Sequence, residues 1–205
     1  MSRFSDEGHD PFVGSDDLVG ARVATAYLAQ LGHRRIGHLA GKPTVSTGVM
    51  RRRGYLIALT ESGLTADPRL VIGSGYTEEG GARAAERLLA LEPRPTAIFA
   101  VTDMTAVGAF GAVRRMGLRI PEDVAIVGYN DIPLASRMVP ALTTVRVPIH
   151  DFGSAAARLL LEQIETGEPA RRRVIFNPEL IVRGSTVAGA GSQASLEPAP
   201  AFASE

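Results

Sequence analysis

The 205-residue sequence predicts an α/β fold built on a doubly wound, mainly parallel sheet. Two observations predict it. Apolar runs of strand length alternate with segments of helical periodicity, which is typical of successive βαβ units. The hydrophobic fraction of 45%, with 22 glycines and 13 prolines, is that of an ordinary globular chain. A packed α/β core is therefore expected, and disorder is excluded as a description of the whole chain.

The first predicted helix begins after Ser15 or Asp16, whose side chains suit an N-cap, and ends at Gly32. Its apolar face is expected to consist of the side chains that recur every fourth residue, which are Val19, Val23, Tyr27 and Leu31. The same periodicity predicts helices over residues 49–62, 78–91 and 103–117. Short apolar runs between the helices predict strands over residues 36–40, 70–73, 96–101 and 124–128.

The pattern loosens beyond Pro140. Residues 143–147 are predicted to form an extended crossover, and an amphipathic helix follows that ends at Gly167. Its apolar positions are Phe152, Ala156, Leu159, Leu160 and Ile164. Two short extended runs are predicted at 174–176 and 180–182, and the Ala/Gly/Ser/Pro-rich residues 187–205 are expected to form a disordered tail.

Charge and composition exclude several function classes. Lys+Arg and Asp+Glu are both 22, so the chain carries no basic excess with which to bind DNA on its own. It has no cysteine, and its four histidines lack the spacing of a metal site, so neither a metal nor a cofactor is expected. No apolar window reaches the length of a membrane span and the N-terminus does not resemble an export signal, so the cytoplasm is the expected compartment.

Polar residues follow the predicted strands and mark a candidate binding site. In a doubly wound parallel sheet all strands end at one edge, and ligands bind in the crevice there. The groups expected there are hydroxyls, an amide, a carboxylate, an aromatic ring and a guanidinium. Together they suit a neutral polyhydroxylated or heterocyclic molecule, such as a sugar or nucleobase. The residues expected at this edge are Ser46, Thr47, Arg51, Tyr76, Thr102, Asp103, Tyr129, Asn130 and Asp131.

Each of these residues also has a purely structural interpretation. Asp103 could serve only as an N-cap, and Arg51 could lie on a solvated helix face. Tyr76 could simply close a loop, and the segment 128–131 could be a strand end with Asx turns. Their shared position at one edge favours the binding interpretation, which predicts that Arg51, Tyr76, Asp103 and Asn130 surround a common hollow.

Enzymatic alternatives lack their motifs. Ile36 occupies the position of the first glycine of a phosphate-binding loop, and Pro43 follows the only lysine, Lys42. No serine lies in a G-x-S-x-G nucleophile elbow. The chain is therefore not expected to be an enzyme.

An ordered set of short motifs resembles the effector-binding core of LacI/GalR-family bacterial transcription regulators. The resemblance spans about residues 13–186 and includes Arg51-x-x-Gly54-Tyr55, Thr102-Asp103 and Gly128-Tyr129-Asn130-Asp131. The other matching runs are 31–37, 95–99, 117–124, 140–145 and 183–186. It implies a periplasmic-binding-protein-like core of type I, which senses a small molecule and dimerises, beside a helix-turn-helix that binds operator DNA.

The resemblance also implies roles for individual residues. Arg51 matches an arginine that clamps the effector, and Thr47 and Tyr76 match positions that line the pocket. Asp16 matches an acidic residue at the crossover between lobes, and Thr102 precedes the matching aspartate, Asp103. The amide of Asn130 departs from the family pattern, because an aspartate usually grips the ligand there, and this leaves the ligand class open.

The resemblance divides the chain unequally between the two lobes of the family. Its expected parts are 1–15 as a remnant of the first lobe, 16–142 as the nearly complete C-terminal lobe, 143–172 as a crossover and helix of the first lobe, 173–186 as strands returning to the C-terminal lobe, and 187–205 as the tail. The helix-turn-helix lies outside this sequence. With the first lobe fragmentary, the helix after residue 148 is expected to dock on a second copy, fold onto its own lobe or move, and ligand binding is expected to be weak.

The leading interpretation is the sensing and dimerising region of a regulator, most simply a repressor, whose partners are a small effector, a second copy and, through the helix-turn-helix, operator DNA. A transport receptor of the same fold is the alternative, and an α/β enzyme ranks third.

Overall fold

The structure, a computed structural model, describes residues 11–167 and 172–187 of the chain. The strands are β1 Phe12–Ser15, β2 Ile36–Ala40, β3 Val71–Gly73, β4 Ala97–Ala100, β5 Ala125–Asn130, β6 Thr143–Arg146, β7 Arg173–Phe176 and β8 Glu179–Ile181. The helices are α1 Asp17–Gln30, α2 Ser46–Glu61, α3 Glu78–Leu89, α4 Asp103–Arg115 and α5 Ile149–Thr166. Two predicted parts lie wholly or partly outside the described residues. They are residues 188–205 of the predicted tail and residues 1–10 of the predicted N-terminal remnant.

Six strands form one large sheet in the order β3-β2-β4-β5-β6-β8. The first five run parallel, and β8 closes one edge antiparallel to β6. This confirms the predicted doubly wound, mainly parallel α/β fold. After β2 the chain forms β3 at one edge of the sheet, and it then returns to form β4 on the opposite side of β2. The direction in which strands are added therefore reverses between β2 and β4. Ligands bind at such a switch point in open α/β sheets.

Alternating strand residues build a core on each face of the sheet. On β4, Phe99 packs with Tyr55 of α2 and Leu28 of α1, whereas Ile98 packs with residues of α3 and α4. Because successive side chains of a strand point to opposite faces, a short and entirely apolar strand can serve both cores. All four residues of β4 are buried.

The apolar face predicted for α1 is partly wrong. Val23 and Leu31 are 39% and 41% exposed, whereas Ala21, Ala24 and Leu28 are fully buried. The reason is that α1 packs closely against α2 as well as the sheet, so small residues occupy its contact face. The N-cap prediction is confirmed, because the side chain of Asp16 accepts a hydrogen bond from the N–H of Val19 at 2.9 Å.

A second, smaller unit consists of β1, β7 and α5. β7 pairs in parallel with β1, and β8 alone returns to the large sheet, so residues 173–176 do not belong to the C-terminal lobe as predicted. α5 packs against this two-stranded sheet. Leu159 of α5 is buried, and the ring of Phe152 lies 5.2 Å from that of Phe176 in β7.

This two-stranded sheet covers only part of the apolar surface of α5. Four large side chains of the helix remain mostly exposed: Ile149, Leu160, Leu161 and Ile164. None of the helices in the two described ranges combines the length and apolarity of a membrane span.

Glycines allow α3 and α4 to pack in direct backbone contact. A Cβ atom at Gly108 of α4 would overlap the carbonyl oxygen of Glu78, and one at Gly81 of α3 would overlap the carbonyl oxygen of Thr105. Backbone atoms cannot move aside as a flexible side chain can, so the helix spacing depends on these glycines.

We expect Gly108→Ala to lower the free energy of unfolding by about 1–3 kcal/mol, because the added methyl group forces α3 and α4 apart. Urea unfolding followed by circular dichroism measures it. Gly111→Ala is the matched control, since a Cβ atom there meets only the flexible end of Arg115. That variant is expected to gain up to about 1 kcal/mol from helix propensity. Equal stabilities of the two variants would contradict the packing argument.

Candidate functional site

Arg51 occupies the switch point of the large sheet. It lies in the second turn of α2, directly after β2, and is only 6% exposed. Its Nη1 donates a hydrogen bond to the carbonyl oxygen of Val101, just beyond the end of β4, at 2.6 Å. The contact fixes the guanidinium between β2 and β4, where open α/β sheets bind their ligands.

Asp17 and Tyr129 hold the Arg51 guanidinium from two other directions. Nε and Nη2 of Arg51 lie 2.9 Å and 2.8 Å from the same oxygen, Oδ1 of Asp17, in the first turn of α1. The guanidinium carbon lies 3.6 Å from the centroid of the fully buried Tyr129 ring, at the end of β5. A desolvated cation–π contact of this kind contributes about 2 kcal/mol. Arg51 therefore joins α1, α2, β4 and β5 at one point.

Asn130 approaches the same guanidinium from the last position of β5. Its Oδ1 accepts from Nη2 of Arg51 at 3.5 Å, which is a long hydrogen bond. Asn130 and Asp131 have φ values of 114° and 55°, which non-glycine residues rarely adopt. This sharp turn at the strand end brings the Asn130 side chain to the edge of the sheet.

A cleft of about 550 Å³ opens beside Arg51, between the large sheet and the small unit. One wall is polar and is formed by Ser15, Asp17, Thr47 and Arg51, and the other is apolar and is formed mainly by β1 and α5. A cavity of this size, with a few convergent polar groups and an apolar wall, is typical of small-molecule sites. The residues of the apolar wall include Phe12, Val13, Val147, Phe152, Ala156, Leu159 and Leu160.

Residues 25–186 match the family of periplasmic binding protein-like domains. The chain belongs to this family. The match covers all six strands of the large sheet and helices on both of its faces, and it confirms the predicted periplasmic-binding-protein-like fold.

Individual relatives in this family are LacI-type regulators, which confirms the resemblance seen in the motifs. The HTH-type transcriptional repressor CytR of Escherichia coli (strain K12) is 37% identical over 185 residues, which are 90% of this chain and 54% of that protein. The HTH-type transcriptional regulator MalR of Streptomyces coelicolor is 40% identical over 195 residues, 93% of this chain and 56% of that protein. The chain thus spans about half the length of these curated relatives.

The fold also matches solved structures of LacI-type regulators. A complex of the transcriptional regulator CelR with cellobiose superposes with a TM-score of 0.84 at 36% identity, covering 87% of this chain and 55% of that one. This periplasmic binding protein-like core is thus shared with a protein whose structure contains a bound sugar.

The structure brings together only part of the predicted site. Thr47 and Arg51 line the cleft, and Asn130 contacts Arg51. Tyr76 and Asp103 are not among the residues that line it, so the four side chains expected around one hollow are divided between the cleft and its surroundings. Whether any of them binds ligand stays a prediction.

Asp103 is committed to the framework behind the cleft. It is 1% exposed, and its carboxylate accepts from the hydroxyl of Thr144 at 2.5 Å and from the N–H of Ile132 at 2.8 Å. Burial raises the pKa of Asp103 above its ordinary value. A side chain at Gly128 would overlap the Asp103 carboxylate, so this glycine permits the approach. The N-cap of α4 is not Asp103 but Thr102, whose hydroxyl oxygen accepts from the N–H of Thr105.

Tyr76 packs over the loop that leads from β2 into α2. Its hydroxyl lies against Gly41 and Gly48, where a Cβ atom would meet it at 2.5 Å and 2.7 Å. That hydroxyl is buried and has no hydrogen-bond partner among the described residues. The contact supports the start of α2 and thereby the placement of Thr47 and Arg51.

Two further predicted residues mark helix starts at the same edge of the sheet. Asp16 is the N-cap of α1, and Ser46 is the first residue of α2, three positions earlier than predicted. Across residues 11–167 and 172–187, no group of three or more His, Asp and Glu side chains could hold a metal ion.

The sequence did not indicate a role for Asp17, although it stands beside the predicted Asp16. Tyr129 was expected at this edge, but its contact with the Arg51 guanidinium was not. No sequence signal pairs Asp17 with Arg51, because 34 residues separate them.

Proposed function

We propose that this chain is the effector-sensing region of a LacI/GalR-type transcriptional regulator, and that the effector is a sugar or nucleoside-like molecule bound in the cleft beside Arg51. The observation that carries the proposal is a buried arginine at the switch point of the sheet, held beside a half-apolar cleft of about 550 Å³. Apolar side chains pack against the faces of sugar or base rings, and hydroxyl and guanidinium groups hydrogen-bond their polar edges.

Regulation then follows from a shift in population. The effector would favour one arrangement of the small unit, which carries the apolar wall, relative to the large sheet, which carries Arg51. In the whole regulator that difference would alter operator affinity through a helix-turn-helix outside these 205 residues, and the simplest outcome is repression. This role places the protein in the cytoplasm, without catalysis and without membrane contact.

The regulators named above favour this function over the two alternatives. A transport receptor shares the fold and the cleft, and an enzyme shares the doubly wound sheet. CytR is named as a repressor and MalR as a regulator, and the likeness to both extends over at least 90% of this chain.

Ligand-observed NMR on the 205-residue chain tests the proposal with a panel of neutral sugars and nucleosides. At least one compound is expected to show saturable, competitive binding. Thr47→Val, which removes one cleft hydroxyl, is expected to weaken that binding by about tenfold, as loss of one hydrogen bond does. Thr60→Val is the matched control, because Thr60 is exposed at the far end of α2. Absence of binding by the entire panel at millimolar concentration would overturn the proposal.

We further propose that the chain self-associates through the exposed apolar residues of α5. Ile164 is 76% exposed, and Leu161 is 57% exposed. Burying side chains of this size contributes about 1.5–3 kcal/mol each. Replacing both with lysine is therefore expected to weaken association at least tenfold in sedimentation velocity. Glu165→Lys, which changes the charge by the same amount on the same helix, is expected to leave it unchanged, and equal effects would contradict the proposal.

A further inference from the structure

We propose that Asp17 determines ligand specificity by acting as an internal counterion for Arg51, so that the cleft accepts uncharged ligands and rejects anionic ones. The inference rests on the proposed function, because it concerns the same cleft. It assigns a role to a residue that the sequence pattern did not place in the site.

The charges of the cleft carry the first step. Among the residues that the structure describes, Asp17 and Arg51 are the charged side chains that line the cleft, and the other lining residues are apolar, hydroxyl-bearing or amide-bearing. One carboxylate and one guanidinium leave the wall with no formal net charge. An anion entering the cleft would meet a cation whose charge is already compensated and, at the same time, the carboxylate that compensates it.

Most N–H groups of the Arg51 guanidinium already face protein oxygen atoms. A guanidinium has five N–H groups. Nε donates to Oδ1 of Asp17 and Nη1 donates to the carbonyl oxygen of Val101. Nη2 lies 2.8 Å from the same Asp17 oxygen in the ion pair and donates to Oδ1 of Asn130 at 3.5 Å. Among the described residues, the second N–H of Nη1 has no partner, so it can bind a ligand. A carboxylate or phosphate is normally gripped by two parallel N–H groups of one arginine, and Arg51 does not offer such a pair.

The ion pair between Arg51 and Asp17 is largely buried. The side chains of Arg51 and Asp17 are only 7% and 15% exposed, and the Tyr129 ring covers one face of the guanidinium. Turning Arg51 toward an anion would break the ion pair and leave Asp17 without its partner in a place poorly solvated by water. A neutral hydroxyl or ring nitrogen, by contrast, can accept the remaining N–H without disturbing any of these contacts.

Matched neutral and anionic probes test the inference on the unaltered chain. The pairs are glucose against gluconate and glucuronate, and adenosine against its monophosphate, each titrated by ligand-observed NMR. In any pair whose neutral member binds, the anionic member is expected to bind at least about 100-fold more weakly, as like-charge juxtaposition costs several kilocalories per mole. An anionic member that binds as tightly as its neutral partner would overturn the inference while leaving the proposed function intact.

Inorganic phosphate gives a second test that needs no identified effector. In the unaltered chain, phosphate is expected to leave the Arg51 Nε–H resonance unmoved in a nitrogen–proton spectrum. In Asp17→Asn, which keeps the size of the side chain, phosphate is expected to shift that resonance saturably, because the released guanidinium can then bind an anion.

Glu61→Gln is the matched control for the Asp17 variant. Glu61 of α2 pairs with Arg22 of α1 at 2.7 Å, so this substitution removes the same charge from another ion pair between the same two helices, one that is exposed. It is expected to leave the phosphate response unmoved. Phosphate binding by the unaltered chain, or a folded Asp17→Asn protein without any response, would overturn the role of Asp17. If neither neutral nor anionic probes bind while Asp17→Asn gains phosphate binding, the counterion role holds and the proposed effector class fails.

Discussion

Replacing Arg51 with methionine is expected to lower the free energy of unfolding by about 3 kcal/mol at neutral pH, because it leaves the Asp17 carboxylate unpaired in a poorly solvated place. The loss also removes the hydrogen bond to Val101 and the contact with the Tyr129 ring. Urea unfolding of the 205-residue chain, followed by circular dichroism, measures the change. The same variant is expected to abolish effector binding in the NMR titration.

Arg53→Met is the control for this prediction. Arg53 lies on the same helix, and its side chain is exposed, so its removal is expected to change stability by less than about 0.5 kcal/mol. The double variant Asp17→Leu, Arg51→Met removes both charges and is expected to be more stable than Arg51→Met alone. If Arg51→Met and Arg53→Met unfold at the same urea concentration, the buried pair does not stabilise the fold as argued.

The second large effect is a pH dependence caused by His38. This residue is fully buried in β2, with its ring 5.0 Å from that of Tyr55 and 4.9 Å from that of Phe99. Its Nδ1 donates to the carbonyl oxygen of Phe99 at 3.0 Å, and its Nε2 has no hydrogen-bond partner among the described residues. Burial lowers the pKa of His38 from 6.5 to about 4, and the positive charges of Arg52 and Arg51 add to the effect.

Because the folded chain binds this proton less readily than the unfolded chain, His38 has no effect on stability above about pH 6.5 and lowers it as the pH falls toward 4. The free energy of unfolding is expected to fall by about 1.4 kcal/mol per pH unit in this window, or about 3 kcal/mol in all. Urea unfolding at several pH values measures the slope. His38→Phe keeps an aromatic ring in the stack and is expected to flatten the slope; equal slopes in both proteins would show that His38 is not its source.

The fold and the edge of the sheet that holds the site could be predicted because they follow from local patterns. Uninterrupted or nearly uninterrupted apolar runs are typical of strands that are buried on both faces. Such runs occur at residues 36–40, 97–100 and 125–127. Asp16 caps α1 because its side chain reaches a backbone N–H only three residues away. Such interactions span a few residues, so spacing alone reveals them.

The assignments that failed depend on contacts between distant segments. Residues 173–176 and 179–181 have similar short extended patterns, yet the first pairs with β1 and the second with β6. Asp103 stands at the start of α4, where a capping role was one interpretation, but Thr102 caps the helix and the Asp103 carboxylate accepts a hydrogen bond from Thr144, 41 residues away. The buried face of α1 differs from the predicted one because α2 packs against α1 so closely that small residues, rather than large ones, fill the contact.

The sequence by itself determined the doubly wound sheet, the N-cap of α1 at Asp16, and the edge at which Arg51 and Asn130 lie, because these follow from periodicity and from the chemistry of neighbouring residues. Only the tertiary structure decided that Asp17 compensates the charge of Arg51, that Tyr129 lies against it and that α5 forms one wall of the cleft. The physical reason is that hydrogen bonds and ion pairs act over about 3 Å in space. The number of residues between two positions in the sequence does not indicate whether folding brings their side chains within that distance.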